Sequence, residues 1–253
     1  MSWVPAGNPA PSPATQWLRR LDFSSAADTT RLVCFPHAGG GASAFLSWLP
    51  HLPPAWELWA VEYPGRENRA AEPPPTDLRA MARDTAYALQ WIGDRPYALF
   101  GHSMGAIVAY ETSSELLRIG GTAPQHLFLS GSLSPQHAGA RAQAEWDSAG
   151  SDVQWLGEET CSGDASEQRT LATETLESDL RMLTAYREPP TAKITVAVSV
   201  LFGAEDPHLD AAGAAGWNAY TVAPADVMQI PGDHFSCFRR PNHVLTLLNG
   251  VFP

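Results

Sequence analysis

The sequence predicts an α/β fold, a mostly parallel sheet flanked by helices, with a helical lid inserted in its second half. Three observations predict it. Short apolar runs alternate with segments of helical periodicity along most of the 253 residues. One such run, Tyr97-Ala98-Leu99-Phe100, passes through Gly101-His102-Ser103-Met104-Gly105 into the apolar-periodic Ala106-Ile107-Val108-Ala109-Tyr110. That is a strand, a sharp turn and a helix. Between about 134 and 189 the strand signal then disappears, as an insertion between two core strands requires.

The elements follow in order. Residues 1–15 are rich in Pro, Ala, Gly and Ser, and are expected to form a flexible tail ahead of one domain over 16–253. Trp17 to Phe23 suits an edge strand. Arg31-Leu32-Val33-Cys34-Phe35 reads as a buried strand entering the loop Pro36-His37-Ala38-Gly39-Gly40-Gly41. Ser43 to Leu49 suits a short helix. Glu57 to Val61 is the next strand, closed by Tyr63-Pro64-Gly65-Arg66. After Pro73-Pro74-Pro75, Thr76 is a candidate N-cap. Leu78, Met81, Thr85, Leu89 and Ile92 recur at helical spacing behind it. Gly120-Gly121 ends the helix after the pentapeptide, and His126 to Ser130 is a strand.

In the insertion, Leu176, Leu180, Leu183 and Tyr186 fall at helical spacing. It reads as a lid over the strand ends or as an ordinary long helical connection, and ligand binding at this edge of such sheets favours the lid. Trp146, Trp155, Leu180, Leu183 and Tyr186 are candidates for lining a substrate chamber, with plain lid packing as the alternative use. Val196 to Phe202 is the most strand-like run and ends at Gly203-Ala204-Glu205-Asp206-Pro207. Ala211 to Tyr220 is helical, Asp226 to Ile230 a strand, Pro231-Gly232-Asp233-His234 a turn, and Asn242 to Val251 a closing helix.

Composition narrows the function. With 44% hydrophobic and 17% charged residues, the chain is long enough to bury one sizeable core. A net charge of −11 argues against nucleic acid or an anionic membrane as partner. No run of about 18 apolar residues is present, and no basic segment followed by an apolar one opens the chain. Three cysteines, far apart, suit a reducing cytoplasm. No Cys/His cluster has metal-ligand spacing, so neither a metal nor another cofactor is expected. A monomer is expected.

Gly-x-Ser-x-Gly between a strand and a helix is the nucleophile elbow of an α/β-hydrolase. The flanking glycines leave room for the turn that lifts the serine oxygen above the sheet edge. In this fold the order along the chain is nucleophile, acid, base, each just after a strand. Ser103, Asp206 and His234 match order and position. Asp210 is the competing acid, four residues further from the strand end. His208 stands too near the acid, His243 lies in the last helix, and His102 reads as a packing residue. A neutral His takes the serine proton near pH 7, and an acid on its other nitrogen fixes the tautomer. The oxyanion needs two donors. One is the backbone N–H of Met104. The loop after an earlier strand puts the second near Ala38.

Together, Phe35-Pro36-His37-Ala38-Gly39-Gly40, Tyr63-Pro64-Gly65-Arg66, Gly101-His102-Ser103-Met104-Gly105, Gly203 to Pro207 and Gly232-Asp233-His234-Phe235 resemble a type II thioesterase. These are stand-alone α/β-hydrolases accompanying polyketide and non-ribosomal peptide synthases. The resemblance runs from about Trp17 to the C-terminus. It implies hydrolysis of acyl groups from the phosphopantetheine arm of acyl or peptidyl carrier proteins, editing stalled units. It implies oxyanion donors at Ala38 and Met104, and a triad of Ser103, Asp206 and His234. Leu176 to Arg187 resembles the end of the family's helical lid, while the acidic, Gly- and Ser-rich stretch at about 149–166 departs from it. A general carboxylesterase or lipase with the same triad, and a non-catalytic binding module on this fold, are the rival readings. Arg66, Arg69, Arg187, Arg239 and Arg240, in loops or at element ends, are candidates for docking an acidic carrier.

Overall fold

A computed structural model describes residues 16–23, 29–149, 165–188 and 193–252, with the backbone only at 145–149 and 165–170. The expected tail at 1–15 lies outside the described residues, as does most of the stretch at 149–166.

The strands are β1 (Leu18–Arg20), β2 (Thr30–Phe35), β3 (Trp56–Val61), β4 (Tyr97–His102), β5 (His126–Ser130), β6 (Ala197–Gly203) and β7 (Asp226–Ile230). They form one seven-stranded sheet in the order β1-β3-β2-β4-β5-β6-β7. Only β1 runs antiparallel to its neighbour, pairing Leu18 with Val61 at the edge. The others are parallel, with β4 paired to β2 through Phe35 and Gly101 and to β5 through His102 and Ser130. The fold is therefore the mostly parallel α/β-hydrolase sheet that the alternating pattern implies.

Side chains alternate across this sheet. Val33, Leu99, Leu127 and Leu129 face one core, shared with helices α1 (Leu78–Leu89) and α2 (Met104–Arg118). Cys34, Phe100 and Phe128 face the other. That second core is closed by a 3₁₀ helix at Ala42–His51, the short α6 (Ser236–Arg239) and α7 (Pro241–Val251). Phe45, Trp48, Phe100 and Phe128 are fully buried there, each contributing about 1.5–3 kcal/mol. Trp48 Nε1 donates to the Cys237 carbonyl at 3.0 Å, so the one polar atom of that ring is satisfied.

Helices α3 (Pro135–Ala149) and α4 (Ala165–Ala185) stand between β5 and β6, where the insertion is expected. Among the described residues, no helix is long and apolar enough to cross a membrane.

The structure corrects or sharpens four local expectations. Asp77, not Thr76, caps α1, because its carboxylate accepts from the N–H groups of Arg79 and Ala80 at 2.9 and 3.1 Å. That helix stops at Leu89, and Ile92 is buried from the turn that follows. The short helix expected at Ser43 to Leu49 is present as the 3₁₀ helix Ala42–His51, with Pro50 inside it. The helix expected over Ala211 to Tyr220 divides into α5 (Ala211–Ala215) and a 3₁₀ turn at Gly216–Ala219.

Candidate active site

Ser103 leaves β4 with φ 53° and ψ −117° and stands in the N-cap position of α2. A non-glycine residue there costs on the order of 1–3 kcal/mol. Sheet and helix hold it in place: its N–H donates to the Ser130 carbonyl at 2.8 Å. Its hydroxyl makes no capping bond and is left to the pocket. The flanking glycines are required by close approach. A Cβ on Gly101 would overlap the Gly105 carbonyl, and one on Gly105 would overlap that of Phe35.

Asp206 and His234 arrive from the next strand ends. Gly203, last in β6, lets the two loops meet, since a Cβ there would overlap the carbonyls of Gly232 and Asp233. The Glu205 N–H donates to the Gly232 carbonyl at 2.9 Å across the same junction. His234 Nδ1 then lies 2.8 Å from Asp206 Oδ2. The other carboxylate oxygen accepts the His208 N–H at 2.9 Å. Burial alone would push the Asp206 carboxyl up. The bond from His234, its charge and the His208 N–H outweigh that and hold it below the usual range. Asp210 is occupied elsewhere: it caps α5 by accepting from the Gly213 N–H at 2.8 Å. Of the two candidate acids, the structure brings Asp206 to the imidazole.

Ser103 and His234 line one cavity, with Met104, Ile107, Leu133, Ala138, Ala142 and Leu183 around them. The cavity holds about 30 Å³, room for roughly one water. Among the described residues, no hydrogen bond links the Ser103 hydroxyl to the imidazole, and such bonds often tighten only once substrate is bound. Met104 opens α2, so its N–H is one of the helix's unpaired amino-terminal donors. Ala38 lies in the loop after β2, and among the described residues its N–H donates to no other group. Both expected oxyanion donors are thus free to serve a ligand.

His102 is fully buried, its ring 4.8 Å from that of His234 and its Nδ1 3.1 Å from Ser130 Oγ. Burial, then the charge of His234, push its pKa well down. His37 is lowered to about 3 by burial, with His234 and Arg66 adding to the effect. Two neutral imidazoles therefore stand behind the candidate base.

The chamber candidates separate. Leu183 lines the cavity. Leu180 is buried elsewhere in the same core. Tyr186 is buried with its hydroxyl donating to Glu111 Oε1 at 2.6 Å, which is the packing use offered as the alternative. The Trp146 side chain and Trp155 lie outside the described residues. Small residues at helical spacing, Ala138 and Ala142, bring α3 close to Ser103, and Arg141 and His208 also reach the cavity. In the sequence His208 is weighed and set aside as a base; Ala138, Arg141 and Ala142 do not stand out, because Ala at i and i+4 reads as an ordinary helix face.

Two docking candidates are also corrected. Arg66 is buried in a two-pronged pair with Asp179. Arg69 is buried between Glu72, the Glu62 carbonyl and the Trp17 ring. Neither faces solvent, whereas Arg187, Arg239 and Arg240 do. Among the described residues, no group of three metal-ligating side chains lies together.

A model of the thioesterase domain matches residues 30–251. The chain is 34% identical over 230 residues to thioesterase PikA5 of Streptomyces venezuelae, covering 87% of this chain and 79% of that one. It is 30% identical over 228 residues to the gramicidin S biosynthesis protein GrsT of Aneurinibacillus migulanus, covering 88% and 89%. The type II thioesterase BorB of the borrelidin cluster superposes with a TM-score of 0.80 at 27% identity, over 96% of this chain and 99% of that one. The thioesterase RedJ of the prodiginine pathway in Streptomyces coelicolor gives 0.75 at 31%, over 98% and 96%. Matched over residues 30–251 and carrying an elbow serine and an acid–imidazole pair at one sheet edge, the chain belongs to the thioesterase-domain family and is a thioester hydrolase of the α/β-hydrolase fold.

Proposed function

We propose that this chain is a type II thioesterase that removes stalled or aberrant acyl groups from the phosphopantetheine arm of acyl or peptidyl carrier proteins, in the cytoplasm, as a monomer meeting its carriers transiently. The observation that carries the reading is the His234–Asp206 pair beside the elbow serine. Likeness to BorB, a type II thioesterase of the borrelidin biosynthetic cluster, and to GrsT, a gramicidin S biosynthesis protein, supports the substrate class.

The chemistry runs in two halves. His234 Nε2 takes the Ser103 proton as Oγ attacks the thioester carbonyl. Asp206 holds Nδ1 and stabilises the imidazolium. The N–H groups of Ala38 and Met104 receive the oxyanion. Its collapse breaks the C–S bond, and the thiol leaves with the proton from His234. A thiolate leaves readily, so this half needs little acid catalysis. Water then attacks the acyl-serine, giving its proton to His234, and the acid product departs as Ser103 is reprotonated.

A carrier must be read locally, because a chain at −11 repels acidic proteins overall. Arg187 and Arg240 are exposed and suit that task. Each exposed pair is worth only about 0.2–1 kcal/mol, so docking is weak and sensitive to salt. The test compares kcat/KM for one acyl group on a carrier protein and on a small phosphopantetheine mimic, at low and high salt. The reading expects a carrier preference that shrinks with salt. Equal rates throughout would favour a general esterase.

A further inference from the structure

The loop that carries Ala38 is held from the side of helix α4 by a single buried carboxylate. The Gly39 N–H donates to Asp179 Oδ2 at 2.8 Å. Arg66 Nη1 donates to the same oxygen and Nη2 to Oδ1, each at 2.6 Å. Arg66 Nη1 also donates to the Gly40 carbonyl at 3.0 Å. The Asp179 side chain is wholly buried and that of Arg66 is 7% exposed. A buried carboxylate is tolerated when a two-pronged guanidinium and further donors satisfy it, and it is costly when any of them is lost. Loop, helix and arginine therefore hold one another in register. Packing repeats the connection: at Gly39, with φ +76°, a Cβ would sit 3.2 Å from Leu176 Cβ on the same helix.

The geometry bears directly on the oxyanion donor. On one side of Ala38 the chain is fixed by β2, whose Phe35 pairs with Gly101 of the elbow strand. On the other side, the Gly39 N–H and the Gly40 carbonyl are both fixed by the Asp179–Arg66 pair. The Gly40 N–H closes the turn onto the His37 carbonyl at 3.0 Å. With these points held, the peptide plane that presents the Ala38 N–H is set.

We propose that Asp179, with Arg66, is a positioning residue that aims the Ala38 oxyanion donor at the Ser103 site, so that the seat of helix α4 determines whether the site is competent. This rests on the reading of Ala38 as a donor and of Ser103 as the nucleophile. A pin that serves stability alone would lower the melting temperature and leave turnover per folded molecule intact. A positioning residue lowers kcat and leaves KM nearly unchanged, because the oxyanion exists only in the transition state.

The experiment measures kcat, KM and affinity for an acyl trifluoromethyl ketone in the native enzyme, Asp179→Ala and Asp179→Asn. Active sites are counted by complete fluorophosphonate labelling. Losing one oxyanion donor outright costs about 10²–10³ in kcat, so misaiming it in Asp179→Ala is expected to cost about 10- to 100-fold, with KM within about twofold. Affinity for the ketone, which forms an oxyanion on Ser103, should fall in parallel. Asp179→Asn keeps an acceptor for the Gly39 N–H and should recover most of kcat despite a lower melting temperature. Unchanged kcat in folded Asp179→Ala would overturn the proposal, as would equal losses in the two variants. Should neither variant fold, hydrogen exchange in the native enzyme decides: the Gly39 amide should be protected like the amides of α4, and exchange at the rate of a free loop amide would overturn it. Hydrolysis surviving in Ser103→Ala would instead break the underlying reading and is seen separately.

Discussion

His234 Nδ1 sits 2.8 Å from Asp206 Oδ2, while Asp210, four residues on, spends its carboxylate on the Gly213 N–H. The two acids thus have different jobs, and variants should part them. Asp206→Asn should lower kcat by about 10³ to 10⁴ with the fold intact, because the imidazole loses its tautomer. Asp210→Asn should leave kcat within a few-fold, and Asp210→Ala should lower stability by about 0.5–2 kcal/mol through the lost cap. Steady-state kinetics beside urea unfolding checks both. The reverse order of effects on kcat would make Asp210 the acid.

Stability should fall on mild acidification for a reason unrelated to carboxylates. Burial lowers the pKa of His37 to about 3, pushes His102 well down, and lowers His126, whose Nε2 lies 2.9 Å from Ser199 Oγ. In the unfolded chain such groups protonate near pH 6.5. Below that pH the unfolded state therefore binds more protons than the folded state, and stability drops as pH drops. Each group contributes up to about 1.4 kcal/mol per pH unit, until its folded pKa is reached. Urea unfolding at pH 7.5, 6.5 and 5.5 should show the decline, and His126→Gln should reduce its slope. A flat profile between pH 7.5 and 5.5 would contradict the buried neutral state.

Leu183 closes the cavity beside Ser103. Leu183→Ala should lower stability by about 2–5 kcal/mol. It should also shift selectivity: the ratio of kcat/KM for an octanoyl over a propionyl thioester should rise by about tenfold. A ratio unchanged from the native enzyme would mean that the acyl chain does not pass Leu183.

The sheet, the elbow and the order of the candidate triad were legible because each is written locally. Alternating apolar runs mark β2, β4 and β6, and the glycines at 101 and 105 mark a turn that admits no side chain. Asp206 stands out because it follows the most strand-like run. What the sequence hid is long-range. Arg66 and Arg69 look like solvent-facing loop cations until Asp179, 113 positions away from Arg66, and the Trp17 ring are brought to them by the fold. Asp179 itself reads as one polar residue on an amphipathic helix, and no local pattern tells that its carboxylate meets a glycine N–H at the far side of the site. Tyr186 has the right spacing for a chamber wall, yet Glu111 on α2 claims its hydroxyl. Thr76 and Asp77 are both good caps, and only the backbone decides between them.

The central claim is that Ser103 carries an acyl group taken from a carrier-bound thioester. Its most direct test is intact-protein mass spectrometry of an acyl-loaded carrier protein mixed with the native chain, with Ser103→Ala and with His234→Ala. The native chain should return the carrier to its free-thiol mass, Ser103→Ala should leave it loaded, and the mass of one acyl group should be trapped on the native chain when the reaction is quenched early. Unloading by Ser103→Ala at the native rate, or a carrier that stays loaded with the native chain while simple oxygen esters are cleaved, would contradict that claim.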